Sequence, residues 1–292
     1  MTTIFNVEDF SEIAKDVISG EDLPPSHPAV HEKFNAAMKN IPGFSRGWME
    51  VRGALEADGY ALLKVEKLNV LPLGFIRDLA ILLTHQIGTP NPAGVFREAA
   101  GALIPSSAIA VDVRPRRSGN RHDPSTVDGA APLHTDSSFS LKPERYFGLW
   151  CVNPAETGGE SVLIDSREVV GELRKLSGGE RCIDILSNCN LPLWMESKSM
   201  PVRILTEPGS SRAIVRFHES RIARGIIDKE LPDSDPRVQA LCLFMKILSS
   251  ERFSRVVPLD RDEVLFIDNH RMIHGRRDFS DRNRHMLRIR MT

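Results

Sequence analysis

Two histidines and an aspartate, which come from two distant segments of the chain, have the residue types of a metal site. His134 and Asp136 lie in the segment PLHTDSSF and are separated by one residue. Residues two apart on a strand point to the same face, so an imidazole and a carboxylate could meet at one point. Such a pair is common by chance, and the alternative is a surface histidine beside a capping aspartate.

A second segment near the C-terminus, FIDNHRMIHGRRDF, contains two candidates for a third ligand, His270 and His274. We predict that the strand before them runs from near Val264 to Asn269. Two histidines and one carboxylate on one side of a metal leave positions open for substrate and oxygen, as in non-haem iron(II) oxygenases. A zinc hydrolase is an alternative, because zinc also binds such ligands with an open position.

Two arginines and a serine could bind anions near such a centre. Arg284 and Arg288 lie four residues apart in RNRHMLRIRM, the predicted last strand, so both would face one side. Their guanidinium groups can bind carboxylates through two hydrogen bonds, which would suit a cosubstrate and an acidic substrate. The alternative is a basic outer face of an edge strand. Ser161 follows a turn at Gly158 and Gly159 and could donate its hydroxyl to a carboxylate.

The elements that must position these residues change character along the chain. Helical spacing of apolar residues occurs in VEDFSEIAKDVIS, HEKFNAAMKNI, GWMEVRGALEADG and GFIRDLAILLTHQIG, and GYALLKV reads as a strand. From about Leu103, short strands are predicted in SAIAVDV, RYFGLWCV, ESVLID, AIVRF, EVLFID and HMLRIRM. Two helices interrupt them: SREVVGELRKL, with Ser166 as N-cap, and PRVQALCLFMKILSS. This pattern favours a sandwich or jelly-roll with helices packed outside.

A long polar connection, from Arg114 to Pro132, lies directly before the histidine–aspartate pair. Loops of this length in a compact domain are usually functional or disordered. The segment is therefore either an active-site lid or a solvated loop.

Composition excludes several function classes. The chain has 292 residues and a formal net charge of -1, which gives no electrostatic reason to expect nucleic acid or an anionic membrane as partner. No apolar run approaches the roughly 20 residues that span a bilayer. The N-terminal segment MTTIFNVEDFSEIAKDV lacks the basic and apolar parts of a secretory signal. We therefore expect a cytoplasmic protein that binds a small molecule.

The four segments together resemble the taurine dioxygenase and clavaminate synthase-like family of Fe(II)/2-oxoglutarate-dependent oxygenases. The resemblance extends from about Gly59 to the C-terminus. Its motifs are LHTDSSF, the P-x-x-x-G-G-x-S segment at Pro154 to Ser161, DNHRMIHGR at Asp268 to Arg276, and R-x-x-x-R at Arg284 and Arg288.

The resemblance implies a mostly β fold with flanking helices (α+β) around a double-stranded β-helix, or jelly-roll, core. Residues 1–292 would form a single oxygenase domain. A helical portion of about residues 1–58 would pack on the jelly-roll, and residues 114–132 would be the lid.

The resemblance also implies a role for each site residue. The ligands of Fe(II) would be His134, Asp136 and His274. His270 would be structural, or would support a ligand without binding the metal itself. Arg284 would bind the distal carboxylate of 2-oxoglutarate with help from Ser161, and Arg288 would face the substrate.

The implied activity is oxidation of an unactivated C–H bond by O2, giving hydroxylation, desaturation or cyclisation. The expected substrate is an amino acid or an amino-acid-derived natural-product intermediate. Halogenating relatives lack the carboxylate ligand, so the presence of Asp136 favours oxygen transfer over halogenation. The alternatives are a dioxygenase for a sulfonate or another small acid, and a non-catalytic jelly-roll binding protein.

Overall fold

The structure, a computed structural model, describes residues 3–20, 23–93, 104–116, 126–208, 210 and 213–292. In these ranges the α-helices are α1 (Ser11–Ser19), α2 (Pro28–Met38), α3 (Phe44–Asp58), α4 (Leu73–Thr84), α5 (Ser106–Ile109), α6 (Ser166–Leu173), α7 (Gly179–Asn188), α8 (Glu219–Asp228) and α9 (Pro236–Leu248). The strands are β1 (Thr3–Asn6), β2 (Tyr60–Glu66), β3 (Pro90–Asn91), β4 (Val111–Val113), β5 (Ala131–His134), β6 (Tyr146–Asn153), β7 (Ser161–Asp165), β8 (Leu191–Met195), β9 (Lys198–Val202), β10 (Leu205–Thr206), β11 (Ile214–Val215), β12 (Ser254–Val257), β13 (Glu263–Asp268), β14 (Met272–Arg276) and β15 (His285–Met291).

Two larger sheets organise the described part of the chain. One has seven strands in the order β1-β2-β13-β6-β15-β3, with β4 also paired to β15. The other has four strands in the order β12-β7-β14-β5. Strand β1 runs parallel to β2, and the four-stranded sheet is antiparallel throughout. Two short pairs, β8–β9 and β10–β11, complete a mixed α/β architecture.

Alternation along the strands gives each sheet two buried faces. On β15, Leu287, Ile289 and Met291 join an apolar core with side chains of α1 to α4. The opposite face of the seven-stranded sheet contributes Leu265 and Ile267 to a second core, which also contains residues of β7, β12 and β14. Because strand side chains alternate, the intervening Arg288 and Arg290 face the space between the sheets.

A third core covers the outer face of the four-stranded sheet. There Ile164 of β7 and Ile273 of β14 pack with apolar residues of α6 to α9 and of the short strand pairs. The order of layers is therefore helices, seven-stranded sheet, four-stranded sheet, helices. Polar and charged side chains that point between the two sheets are therefore shielded from solvent on both sides.

Local signals at helix ends match the structure in some places and not in others. Asp235 accepts a hydrogen bond from the Arg237 amide, and Pro236 is the first helical residue of α9. The prediction that Ser166 caps α6 is wrong. Asp165 has extended backbone and its side chain accepts from the Arg167 amide, so Asp165 is the N-cap.

Several predicted elements are shorter than expected. The strand predicted in SAIAVDV is wrong in its first half, because Ser106–Ile109 forms the helical turn α5 behind Pro105. The pairing partner of β10 includes only Ile214–Val215 of AIVRF. Strand β1 and helices α7 and α8 are additions that the sequence pattern did not predict.

Of the predicted lid, residues 114–132, the middle part from residue 117 to residue 125 lies outside the described residues. Its described ends meet, because the amide of Arg116 donates to the carbonyl of Thr126 at 2.9 Å. Residues 131 and 132 belong to β5. Among the helices within the described ranges, none is long and apolar enough to cross a membrane.

Candidate metal centre

Strand pairing brings His134 and His274 face to face. His134 ends β5, and its backbone is the direct partner of His274 on β14. The two ring centroids are 4.4 Å apart. Each ring places Nδ1 against a backbone carbonyl, that of Pro132 at 2.8 Å for His134 and that of Met272 at 3.2 Å for His274. A hydrogen bond from Nδ1 leaves the lone pair on Nε2, as in many metal-binding histidines.

Asp136 reaches the same point by a route that the sequence did not predict. Strand β5 ends at His134, and Asp136 begins a turn in which Ser137 has a positive φ of 52°. The side chain of Asn269 fixes that turn. Its Oδ1 accepts from the Asp136 amide at 2.7 Å, and its Nδ2 donates to the carbonyls of Asp136 at 3.1 Å and Glu144 at 2.8 Å.

The three side chains form a compact group of possible metal ligands. One ligand atom from each of His134, Asp136 and His274 lies within 4.8 Å of the others. No other group of three or more histidine, cysteine or carboxylate side chains within the described ranges meets that condition. His270 is not in this group, since its Nε2 lies 3.0 Å from the carbonyl of Pro143.

Burial sets the protonation of the three side chains. It lowers the pKa of His134, although Asp136 opposes the shift, and together with His134 it lowers the pKa of His274 to about 3. Burial by itself raises the pKa of Asp136, but Arg288 and Arg290 outweigh it and hold that pKa well below its ordinary value. The centre therefore offers two neutral imidazoles and one carboxylate, which are the forms that bind a metal.

A cavity extends from the two histidines along the space between the sheets. Its walls are Val113, Ala131, His134, Phe147, Leu149, Ser161, Ile267, His274, Gly275, Arg276, Arg284 and Arg288. Arg284 is 3% exposed, and its Nη2 donates to the carbonyl of Gly159 at 3.3 Å. The Nε and Nη1 of Arg284 are buried and have no hydrogen-bond partner among the residues that the structure describes. Buried donors of this kind are costly unless an acceptor occupies the cavity.

The turn before β7 allows the backbone to approach Arg284 closely. Gly158 and Gly159 both have positive φ, 74° and 76°. A Cβ on Gly158 would lie 2.0 Å from the carbonyl oxygen of Asp278, and one on Gly159 would lie 3.0 Å from Nε of Arg284. The predicted turn is confirmed, and it leads to Ser161, which is buried in the cavity wall.

The comparisons with known proteins agree with this arrangement. Residues 80–290 match the model of the family described as "Taurine catabolism dioxygenase TauD, TfdA family". The chain belongs to the TauD/TfdA family. The family predicted from the four motifs is thereby confirmed.

The curated relatives of this TauD/TfdA-family chain are distant in sequence. Gamma-butyrobetaine dioxygenase from Homo sapiens is 24% identical over 164 residues, which is 52% of this chain and 40% of the relative. The protein of that name from Pongo abelii matches equally. The matched region thus spans about two fifths of the length of these curated relatives.

Two solved structures match nearly the whole chain. An asparagine oxygenase, in complex with Fe(II), 2S,3S-3-hydroxyasparagine and succinate, has a TM-score of 0.73 at 17% identity and covers 99% of this chain and 93% of its own. The non-heme iron oxygenase OrfP, in complex with Fe and alpha-ketoglutaric acid, has a TM-score of 0.72 at 16% identity and covers 100% and 94%. These likenesses show that the TauD/TfdA-family chain shares their fold.

Three residues at the centre of this family member were not assigned a role from sequence. Arg290 could have been found, because it lies two residues beyond Arg288 and shares its face. Asn269 gave no signal beyond its place next to the histidine segment. His218 gave none: its backbone forms an isolated bridge with that of His134, and the two ring centroids are 5.3 Å apart. Burial lowers the pKa of His218 to about 3.

We expect Asn269→Ala to weaken metal binding, because the backbone of Asp136 loses both of its hydrogen bonds to the Asn269 side chain. Removing a residue that orients a ligand typically reduces metal affinity about 10–100-fold. The Kd for Co(II), measured by titration, should rise by that factor, while Asn283→Ala, at an exposed asparagine, should leave it unchanged. Equal affinities for the two variants would show that Asn269 does not position Asp136.

Proposed function

We propose that this chain is an Fe(II)/2-oxoglutarate-dependent dioxygenase that oxidises an unactivated C–H bond of an amino acid or an amino-acid-derived molecule. One observation supports this most: a His–Asp–His group and a buried guanidinium with unpartnered N–H groups border the same cavity. The first suits a metal with open positions, and the second suits an anion held at a distance from that metal.

The proposal includes the architecture. The two facing sheets would form the double-stranded β-helix of the family, with residues 1–292 as a single domain. Apolar residues of α1 to α3, within the first 58 residues, pack on the seven-stranded sheet and so cover one side of this core. The TM-scores of 0.73 and 0.72 over nearly the whole chain support this view.

The metal ligands in this proposal are His134, Asp136 and His274. Two imidazole nitrogens and a carboxylate oxygen, without a thiolate, suit Fe(II), and three protein ligands leave positions for other molecules. When bound, Fe(II) with 2-oxoglutarate and O2 would supply the oxidising chemistry that an unactivated C–H bond requires. The protein's own contribution is to hold the ligands, the cosubstrate and the substrate in place.

Arg284 would bind the distal carboxylate of 2-oxoglutarate, and Ser161 would assist from the cavity wall. Nε and Nη1 of Arg284 have no partner among the described residues, so their N–H groups are left for a carboxylate, which arginine binds through charge-assisted hydrogen bonds. The same cavity is lined by the apolar side chains of Phe147, Leu149 and Ile267. They would exclude water from the carbon chain of bound 2-oxoglutarate. Strong hydrogen bonds in a dry site would then fix the orientation of the cosubstrate.

Arg288 would face the substrate and suit its carboxylate. In hydroxylation, the substrate R–H, O2 and 2-oxoglutarate give R–OH, succinate and CO2, with one oxygen atom of O2 in each of the first two products. An amino-acid substrate is supported by the similar structures, one in complex with 2S,3S-3-hydroxyasparagine and another with (3S)-hydroxy-L-Arg. Desaturation or cyclisation, and a sulfonate or other small acid, are the alternatives within this class.

The function is tested by incubating the Fe(II)-loaded protein with 2-oxoglutarate, O2 and a panel of L-amino acids, their derivatives and taurine. We expect succinate and a product heavier by one oxygen atom, both detected by mass spectrometry. His274→Ala should abolish turnover, whereas His270→Ala should retain it, because only His274 belongs to the group of ligands.

Other outcomes of this experiment would contradict the proposal. Binding of 2-oxoglutarate without consumption, with or without substrate, would indicate a non-catalytic binding protein. Hydrolytic activity that depends on Zn(II) and not on 2-oxoglutarate would indicate a zinc hydrolase.

Arg284→Ala should impair the use of 2-oxoglutarate specifically. Leaving a buried carboxylate without its partner costs about 3–5 kcal/mol, which corresponds to a KM for 2-oxoglutarate raised about 10²–10³-fold. The matched control is Arg282→Ala, at a neighbouring exposed arginine. Steady-state kinetics with varied 2-oxoglutarate measure both, and an unchanged KM in Arg284→Ala would remove Arg284 from this role.

A further inference from the structure

We infer that Arg290 is a positioning residue that makes Asp136 bind the metal through a single oxygen atom. The inference rests on the proposed metal site. Nε of Arg290 donates to Oδ2 of Asp136 at 2.8 Å. The other oxygen, Oδ1, lies 3.8 Å from Nε2 of His134, on the side of the ligand group. One carboxylate oxygen is thus engaged by Arg290, and the other is directed to the metal position.

The fold gives Arg290 little freedom to do otherwise. Its neighbours on β15, Ile289 and Met291, are fully buried in the helical core, so alternation directs Arg290 to the space between the sheets. Its backbone is paired on both sides, with Phe147 of β6 and Asn91 of β3. The side chain is 16% exposed and that of Asp136 is 6% exposed, so the contact is shielded from water.

Both the backbone and the side chain of Asp136 are therefore held in place by hydrogen bonds. Asn269 fixes its backbone, and Arg290 fixes the rotation of its carboxylate. Arg288 also approaches Asp136, but its Nη1 lies 3.5 Å from Oδ1, at the outer limit of a hydrogen bond. With Oδ2 engaged by Arg290, a turn of the carboxylate that presented both oxygens to a metal would break this hydrogen bond. Arg290 would therefore favour binding of a metal through Oδ1 alone.

Three substitutions separate the hydrogen bond from the positive charge. In Arg290→Gln, the amide nitrogen takes the position of Nε of arginine, so the donor is kept and the charge is removed. Arg290→Met has similar length but neither donor nor charge. Arg290→Lys keeps the charge but places its nitrogen one bond farther along the side chain.

The test is a titration of the intact chain and its variants with Co(II), observed through the visible absorption of the bound ion. Arg290→Gln should bind within about threefold of the unsubstituted chain and give the same spectrum. Arg290→Met should bind about 10–100-fold more weakly than Arg290→Gln, the range for loss of an orienting partner, with an altered spectrum. If Arg290→Met does not fold, Arg290→Lys replaces it and should also bind more weakly than Arg290→Gln.

The remaining outcomes overturn the inference in distinguishable ways. Equal affinities of Arg290→Met and Arg290→Gln, whether near or far below that of the unsubstituted chain, would show that the hydrogen bond does not matter. Normal binding by Arg290→Lys together with weak binding by Arg290→Gln would assign the effect to charge alone. Absence of Co(II) binding by the unsubstituted chain would overturn the proposed metal site itself, and this inference with it.

Discussion

The burial of one carboxylate, that of Asp136, between two sheets is the constraint on which the rest of this centre depends. An isolated buried carboxylate is very costly, so it must have cationic partners and hydrogen bonds. Arg288 and Arg290 of β15 supply the charge from the seven-stranded sheet. The pairing of β5 with β14 places both histidines on the other side. The site is thus assembled only when the two sheets face each other.

The facing of the two sheets also accounts for the burial of a second charged group, the guanidinium of Arg284. Arg284 precedes β15 and is buried by the glycine turn before β7, which belongs to the opposite sheet. Its guanidinium also lies over the ring of Phe279, 5.1 Å from the centroid. A cation held this way, with unpartnered donors, is poised for an anion. In the proposed function that anion is the distal carboxylate of 2-oxoglutarate, and the other end of the same molecule binds the metal.

Residue types and spacing predicted much of the fold, and they singled out residues that the structure brings together around one cavity. HMLRIRM is β15 from His285 to Met291, EVLFID is β13, and the four motifs identified the family. The route to Asp136 was not predictable by strand alternation, because the strand ends at His134 and the turn depends on Asn269, 133 residues away. The role of Arg290 likewise rests on a contact across 154 residues. Periodicity describes local structure and does not encode such contacts.

In the proposed function, Fe(II) and 2-oxoglutarate bind together between the sheets. The most direct measurement is an anaerobic titration of the Fe(II)-loaded protein with 2-oxoglutarate, followed by visible absorption. We expect a weak band, typical of a 2-keto acid chelated to ferrous iron, that saturates at equimolar cosubstrate. The absence of any band, although the protein holds Fe(II) and remains folded, would contradict it.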